Sequence, residues 1–189
     1  MIFEETGLAG AFVIELERIE DERGFFARTF ARETFAERGL VTEMVQMSVA
    51  WNTTAGTIRG MHFQRPPHAE VKLVRCTRGA IHDVIVDLRP ESPTFRETSA
   101  VELDEDTRRT LYVPERVAHG YQVLVDRTEV AYQMSAPYHP EAQGGLRWDD
   151  PALGISWPLE VTVVSERDRS WPLLESAEDR IRDEMSREG

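Results

Sequence analysis

Between Met44 and about Gln133 the apolar positions fall into short β-rich runs, namely MVQMSVAW, TIRGMHFQ, KLVRCTRG, AIHDVIVDLR, TSAVELD, TLYVP, HGYQVLV and EVAYQMS. The breaks between them carry Asn52, Gly56, Pro66, Pro67, Gly79, Pro90, Pro93 and Pro114. Many short strands at close spacing, with no helical period between them, predict a jelly roll or barrel rather than a βαβ sheet. Upstream, GAFVIELERI predicts a strand and DERG (Asp21–Gly24) a turn. A short helix is expected from about Ala31 to Arg38, with Gly39 placed to stop it. The last stretch, SAEDRIRDEMSREG, reads as an acidic surface helix or frayed tail over about 173–189, with no function attached. Without repeats, low-complexity stretches or a linker, the simplest expectation is one all-β domain over 1–189 with a few short peripheral helices.

A chain of 189 residues with 41% hydrophobic and 30% charged residues is ordinary for a globular protein. No apolar run approaches the ~20 residues a membrane span needs, and MIFEETGLAG lacks the basic start of a signal peptide, so a cytoplasmic location is expected. The lone Cys76 excludes an internal disulfide framework. A net charge of −12 argues against a nucleic-acid surface, whose affinity comes largely from Lys and Arg neutralising phosphates. A phosphorylated small molecule remains compatible with that charge if a few arginines converge on one cleft.

The chain has five histidines, and two stand in suggestive company. His62 lies in RGMHFQ with Gln64 on the same strand face, and His119 lies in PERVAHGYQ with Tyr121 and Val123 on its face. The spacing from Gly56 to His62, Lys72 to Gly79 and Pro114 to His119 fits a metal-binding cupin barrel, but the ligand identities do not. Gln64 replaces a second His, and Lys72 stands where a Glu ligand belongs; an ammonium repels a divalent ion. What remains suits proton abstraction beside a carbonyl. A neutral His is the base, a Lys helped by His119 stabilises the enolate oxygen, and Arg59 forks a diphosphate. Cys76 has no base near it in sequence and reads as core. His68, His82 and His139 have no evident partners and read as structural or exposed.

At this point the chain resembles the dTDP-4-dehydrorhamnose 3,5-epimerases of nucleotide-sugar metabolism. The matching stretches are DERGFF at Asp21–Phe26, the Gln46 strand, RGMHFQ, KLVRCTRG, DVIVDLRPESPT at Asp83–Thr94, PERVAHGYQ, Tyr132, WDDP and WP near Trp148 and Trp157, and SERD at Ser165–Asp168. Each alone is weak, but together they run in family order from about Asp21 to about Asp168. The resemblance implies a cupin-type jelly roll, a homodimer, no metal and no redox cofactor, acting on a nucleotide-diphosphate sugar. It places the base that deprotonates C3 or C5 of a 4-keto-6-deoxy sugar at His62, oriented by Asp168, and the acid on the sugar's opposite face at Tyr132. Lys72 and His119 match sugar and keto-oxygen contacts. Arg59 and Arg23 match diphosphate and nucleotide contacts, with Arg23 expected to cross from the dimer mate. Phe26 is expected to face the base, and Gln46, Ser48, Gln143 and Arg167 to contact substrate.

Four positions depart from the family pattern: Arg28 and Gln143 stand for Glu, Ser48 for Asn and Arg167 for Lys. Arg28, Ser48 and Gln143 are expected at the nucleotide and substrate end rather than the proton-transfer centre. Inversion of C3 alone or C5 alone therefore stays open, as does a ketoisomerase. A metal-dependent cupin and a catalytically dead sugar-binding barrel are the competing readings from other classes.

Overall fold

The computed structural model describes residues 1–186. Its strands are β1 (Ile2–Glu5), β2 (Phe12–Glu15), β3 (Ile19–Asp21), β4 (Gly24–Phe26), β5 (Gln46–Asn52), β6 (Thr57–Gln64), β7 (Lys72–Arg78), β8 (Ala80–Asp87), β9 (Thr98–Asp104), β10 (Thr110–Val113), β11 (Val117–Val123), β12 (Thr128–Met134), β13 (Gln143–Gly145) and β14 (Val163–Val164). Its α-helices are α1 (Arg32–Ala36), α2 (Glu166–Ser170) and α3 (Leu174–Met185).

Two sheets face each other. The first runs β1-β2-β10-β7-β12-β5, and the second runs β13-β6-β11-β8-β9 with β14 added beside β6. The apolar sides of both meet in a core built from Val74, Cys76, Leu111 and Val130 on one sheet and Ile81, Ile85, Leu103, Tyr121 and Val123 on the other. This is the expected cupin-type jelly roll. The second sheet is also covered on its outer face, which is why β11 is buried at every position.

The cover on that outer face is α3, the helix of the two alternatives expected for about 173–189, with a buried apolar side that the expectation did not include. Leu174, Ala177, Ile181 and Met185 recur at helical spacing and bury against Met61, Phe63, Val84, Val86 and Ala118. The acidic residues between them fill the solvent side and mask the stripe in composition. Residues 187–189 of the expected tail lie outside the described residues. On the outer face of the first sheet, Phe35 of α1 packs with Ile14, Leu73 and Tyr112. The run GAFVIELERI gives two strands rather than one, β2 and the start of the exposed β3–β4 hairpin.

Several motif residues do structural work. Asp87 is fully buried and binds Arg89 Nε (2.8 Å), Ser92 Oγ (2.6 Å) and Thr94 Oγ1 (2.7 Å), fixing the turn after β8. Burial alone would raise its pKa, but these donors outweigh it and hold the carboxyl below the usual range. Asp150 accepts from Leu174 N at 2.5 Å and anchors the start of α3, while Trp157 Nε1 donates to Trp148 O at 2.9 Å.

Candidate active site

The strand pairing of β6 decides where the site lies. His119 of β11 pairs with His62 on one side, and Gly145 of β13 pairs with it on the other. The β6–β11 register shifts between His119 and Tyr121, where the two chains approach closely. A Cβ on Gly60 (φ +142°) would sit 2.5 Å from Gly120 Cα, and one on Gly120 would sit 2.6 Å from Met61 Sδ. Only glycine allows this approach, which sets both imidazoles on one stretch of sheet.

Between the sheets lies a cleft of about 650 Å³, lined by Ser48, Arg59, His62, His119, Tyr132, Tyr138, Gln143, Arg167 and Asp168 among others. A smaller lobe of about 240 Å³ shares His62, His119, Tyr132 and Tyr138 and adds Gln46, Glu70 and Lys72. Ten of the expected residues thus meet in one cleft. Arg23 and Phe26 do not join them in their own chain. They sit on the β3–β4 hairpin, whose strand residues are all exposed, and Phe26 borders a separate hollow with Met1, Arg18 and Arg28.

His62 Nε2 lies 2.6 Å from Asp168 Oδ1. Asp168 is brought there by α2, whose N-cap Ser165 accepts a hydrogen bond from the Asp168 backbone N–H. Burial would raise the Asp168 pKa; the His62 hydrogen bond and charge, Ser165 and the Gly60 backbone N–H outweigh burial and hold it below the usual carboxylate range. An ionised Asp168 accepting from Nε2–H leaves Nδ1 as the nitrogen with a free lone pair. Trp171 stands edge-on to the His62 ring at 6.5 Å and packs so tightly over Gly145 that a Cβ there would lie 2.5 Å from the indole.

Tyr132 reaches the cleft from β12, in the sheet opposite His62. Burial, with Tyr121 and Asp83 beside it, pushes its phenol well above the usual range, so it carries its proton at neutral pH. Tyr121 OH donates to Asn52 Oδ1 at 3.3 Å, and Arg59 Nε donates to the same oxygen at 2.8 Å. A polar chain thereby runs from the Tyr132 neighbourhood to a guanidinium.

Three partners escaped the sequence reading. Glu70 holds Lys72 Nζ at 2.6 Å. Asp83, fully buried, has Oδ1 at 2.8 Å from His119 Nε2, out of line with the ring N–H. Burial pushes the Asp83 carboxyl up, and His119 only partly opposes this. Its signal was an acid inside the apolar run AIHDVIVD. Tyr138 is the third; it lines both lobes and donates to Gln143 Oε1 at 2.6 Å.

The donor set of a metal cupin is not assembled here. Gln64 is committed elsewhere: its amide nitrogen donates to His68 O and Pro137 O, and its oxygen accepts from His139 N. Lys72, paired with Glu70, stands where a ligand would stand. What the cleft offers is a carboxylate-oriented imidazole, an ammonium and a second imidazole beside it, and a protonated phenol facing them. Such a set has the chemistry to remove a proton from carbon, hold an enolate oxygen and return a proton.

The sequence model described as dTDP-4-dehydrorhamnose 3,5-epimerase matches residues 5–176. The chain belongs to the dTDP-4-dehydrorhamnose 3,5-epimerase family. As such it is an isomerase. A relative in Methanothermobacter thermautotrophicus bearing the family's name is 45% identical over 178 residues, 92% of this chain and 95% of that one. The crystal structure of the Bacillus anthracis epimerase with TDP and PPi bound is 39% identical, with a TM-score of 0.88, over 92% of this chain and 99% of that one. A double mutant of a 3′-monoepimerase from Streptomyces bikiniensis, in complex with dTDP, is 30% identical with a TM-score of 0.86, over 93% and 89%. The family's epimerase chemistry is thus attached to a scaffold whose cleft already suits it.

Proposed function

We propose that the chain inverts C3 and C5 of dTDP-4-dehydro-6-deoxyglucose, giving dTDP-4-dehydrorhamnose, with His62 as base and Tyr132 as acid. One observation carries the reading: the oriented imidazole and the protonated phenol project into one cleft from opposite sheets. A proton leaves one face of the sugar to His62 Nδ1, and the electron pair moves onto the C4 oxygen. Lys72 and His119 stabilise that oxygen, where charge appears only in the transition state. Tyr132 then returns a proton from the other face and the carbonyl reforms. Arg59 and Arg167, with Gln46, Ser48 and Gln143, hold the nucleotide diphosphate; two guanidiniums suit its geometry.

The chain works as one unit in the cytoplasm and pairs with a second copy. No described helix is long and apolar enough to cross a membrane. Pairing is supported by edge strand β5, whose outer side leaves Met47, Val49 and Trp51 exposed, and by the hairpin that carries Arg23 and Phe26 away from its own cleft.

A single-centre epimerase is the second reading, favoured by the similarity to a 3′-monoepimerase together with Ser48 and Gln143 in the cleft. Incubation with dTDP-4-dehydro-6-deoxyglucose and NMR of the product separates the readings. Inversion at both carbons supports the main one and at one carbon the second, while an unchanged sugar or a shifted carbonyl overturns both.

A further inference from the structure

Outside the cleft, the described residues bring His68, His139 and Glu141 together so that one ligand atom from each lies within 4.8 Å of the others. The rings of His68 and His139 stack with centroids 3.7 Å apart, and His139 Nδ1 is 3.1 Å from Glu141 Oε1. These histidines therefore do have partners, contrary to the sequence expectation. Their spacing does not come from a chance surface contact. The buried amide of Gln64 donates to the His68 backbone carbonyl and accepts from the His139 backbone N–H, fixing both chains from inside the sandwich.

We propose that His68, His139 and Glu141 form a binding site for a first-row divalent cation of the Zn²⁺ type, tying the turn after β6 to the segment 137–143. Two imidazoles and one carboxylate match Zn²⁺ and its neighbours rather than Mg²⁺ or Ca²⁺, which take oxygen ligands; water completes the tetrahedron. The two ring planes, 23° apart, must splay so that their lone pairs converge. Both side chains are only half-buried and sit on loops, so this needs side-chain rotation alone. Glu141 is exposed, and its carboxylate oxygen already lies beside the His139 ring nitrogen. The tied segment matters because it carries Tyr138 and Gln143, which line the cleft. The ion holds that wall in place and takes no part in proton transfer.

Titration calorimetry with Zn²⁺ on the metal-free chain, in a non-chelating buffer, tests the site. The expected result is one ion per chain, with affinity weakened about 100-fold by His68→Ala or His139→Ala, less by Glu141→Gln, and unchanged by His62→Gln. The thermal midpoint of the wild type rises by about 5–10 °C at a free Zn²⁺ concentration 100 times Kd, and that rise disappears in the two histidine variants. Glu141 is exposed and outside the core, so Glu141→Gln reports on binding even if a histidine variant folds poorly. Absence of a stoichiometric site in the wild type overturns the proposal. So does an affinity that follows His62 rather than His68, His139 and Glu141.

Discussion

Nε2 of His62 and Oδ1 of Asp168 stand 2.6 Å apart although 106 residues separate them in sequence. The contact joins an inner strand of one sheet to a five-residue helix that follows the barrel. A carboxylate in that position fixes the tautomer and stabilises the imidazolium once a proton arrives. Asp168→Asn keeps the shape but can present its amide to Nε2 and lose the charge. A fall in kcat of about 10²–10³-fold with little change in KM is expected from steady-state kinetics.

Tyr132→Phe removes the phenol proposed as acid and leaves the proposed base in place. In deuterated water the variant should still exchange substrate protons, while product with inverted carbons forms at least about 100-fold more slowly. Equal losses of exchange and inversion would show that Tyr132 serves proton removal as well.

Asp87 and Asp168 both have folded pKa values below the ordinary carboxylate range. Each contributes stability that is fully present above the unfolded value of ~3.9 and lost as pH falls through the folded value. Urea unfolding should therefore give a midpoint that drops steeply below about pH 4. Asp87→Asn leaves Arg89 without its buried partner, and a loss of about 3 kcal/mol at pH 7 is expected, with a shallower acid limb.

Asp83 has the opposite sign. Its folded pKa is raised by burial, so its stability contribution is greatest below the unfolded value and is lost as pH rises through the folded one. Asp83→Asn removes a buried carboxyl that has no aligned hydrogen bond. The thermal midpoint near pH 8 should stay level or rise, while kcat falls because His119 loses the carboxyl oxygen beside its Nε2.

Ile181→Ala tests α3 as a structural element. Its side chain is 1% exposed within the core under the second sheet, and truncation should cost about 2–4 kcal/mol. A change below about 0.5 kcal/mol would return α3 to a surface tail.

The strands of the barrel were legible because their apolar runs and Gly/Pro breaks are local signals, and β6 to β12 fall close to where those signals put them. His62, Lys72 and His119 could be noticed in the same way, since each is a polar residue in an apolar strand, whereas Tyr132 beside Val130 and Met134 reads as core and was singled out only by the family motifs. Asp168 was different: in SERDRS it looks like a solvated charge, and only the ordered family motifs singled it out. Asp83 and Glu70 pair across or beside strands, a relation set by register that the sequence does not display. The apolar stripe of α3 was hidden because acids and arginines fill the positions between Leu174, Ala177, Ile181 and Met185. The pairing proposed from the exposed outer side of β5 and the detached hairpin concerns a second surface, which one chain's sequence does not supply.

The most direct test of the account is the wash-in of solvent deuterium at C3 and C5 of dTDP-4-dehydro-6-deoxyglucose, followed by NMR, for wild type and His62→Ala side by side. The wild type is expected to label both carbons, and the variant to label neither within the time the wild type needs for full exchange, a loss of about 10³-fold or more. Exchange by His62→Ala at the wild-type rate would contradict the assignment of the base and with it the mechanism built on the cleft.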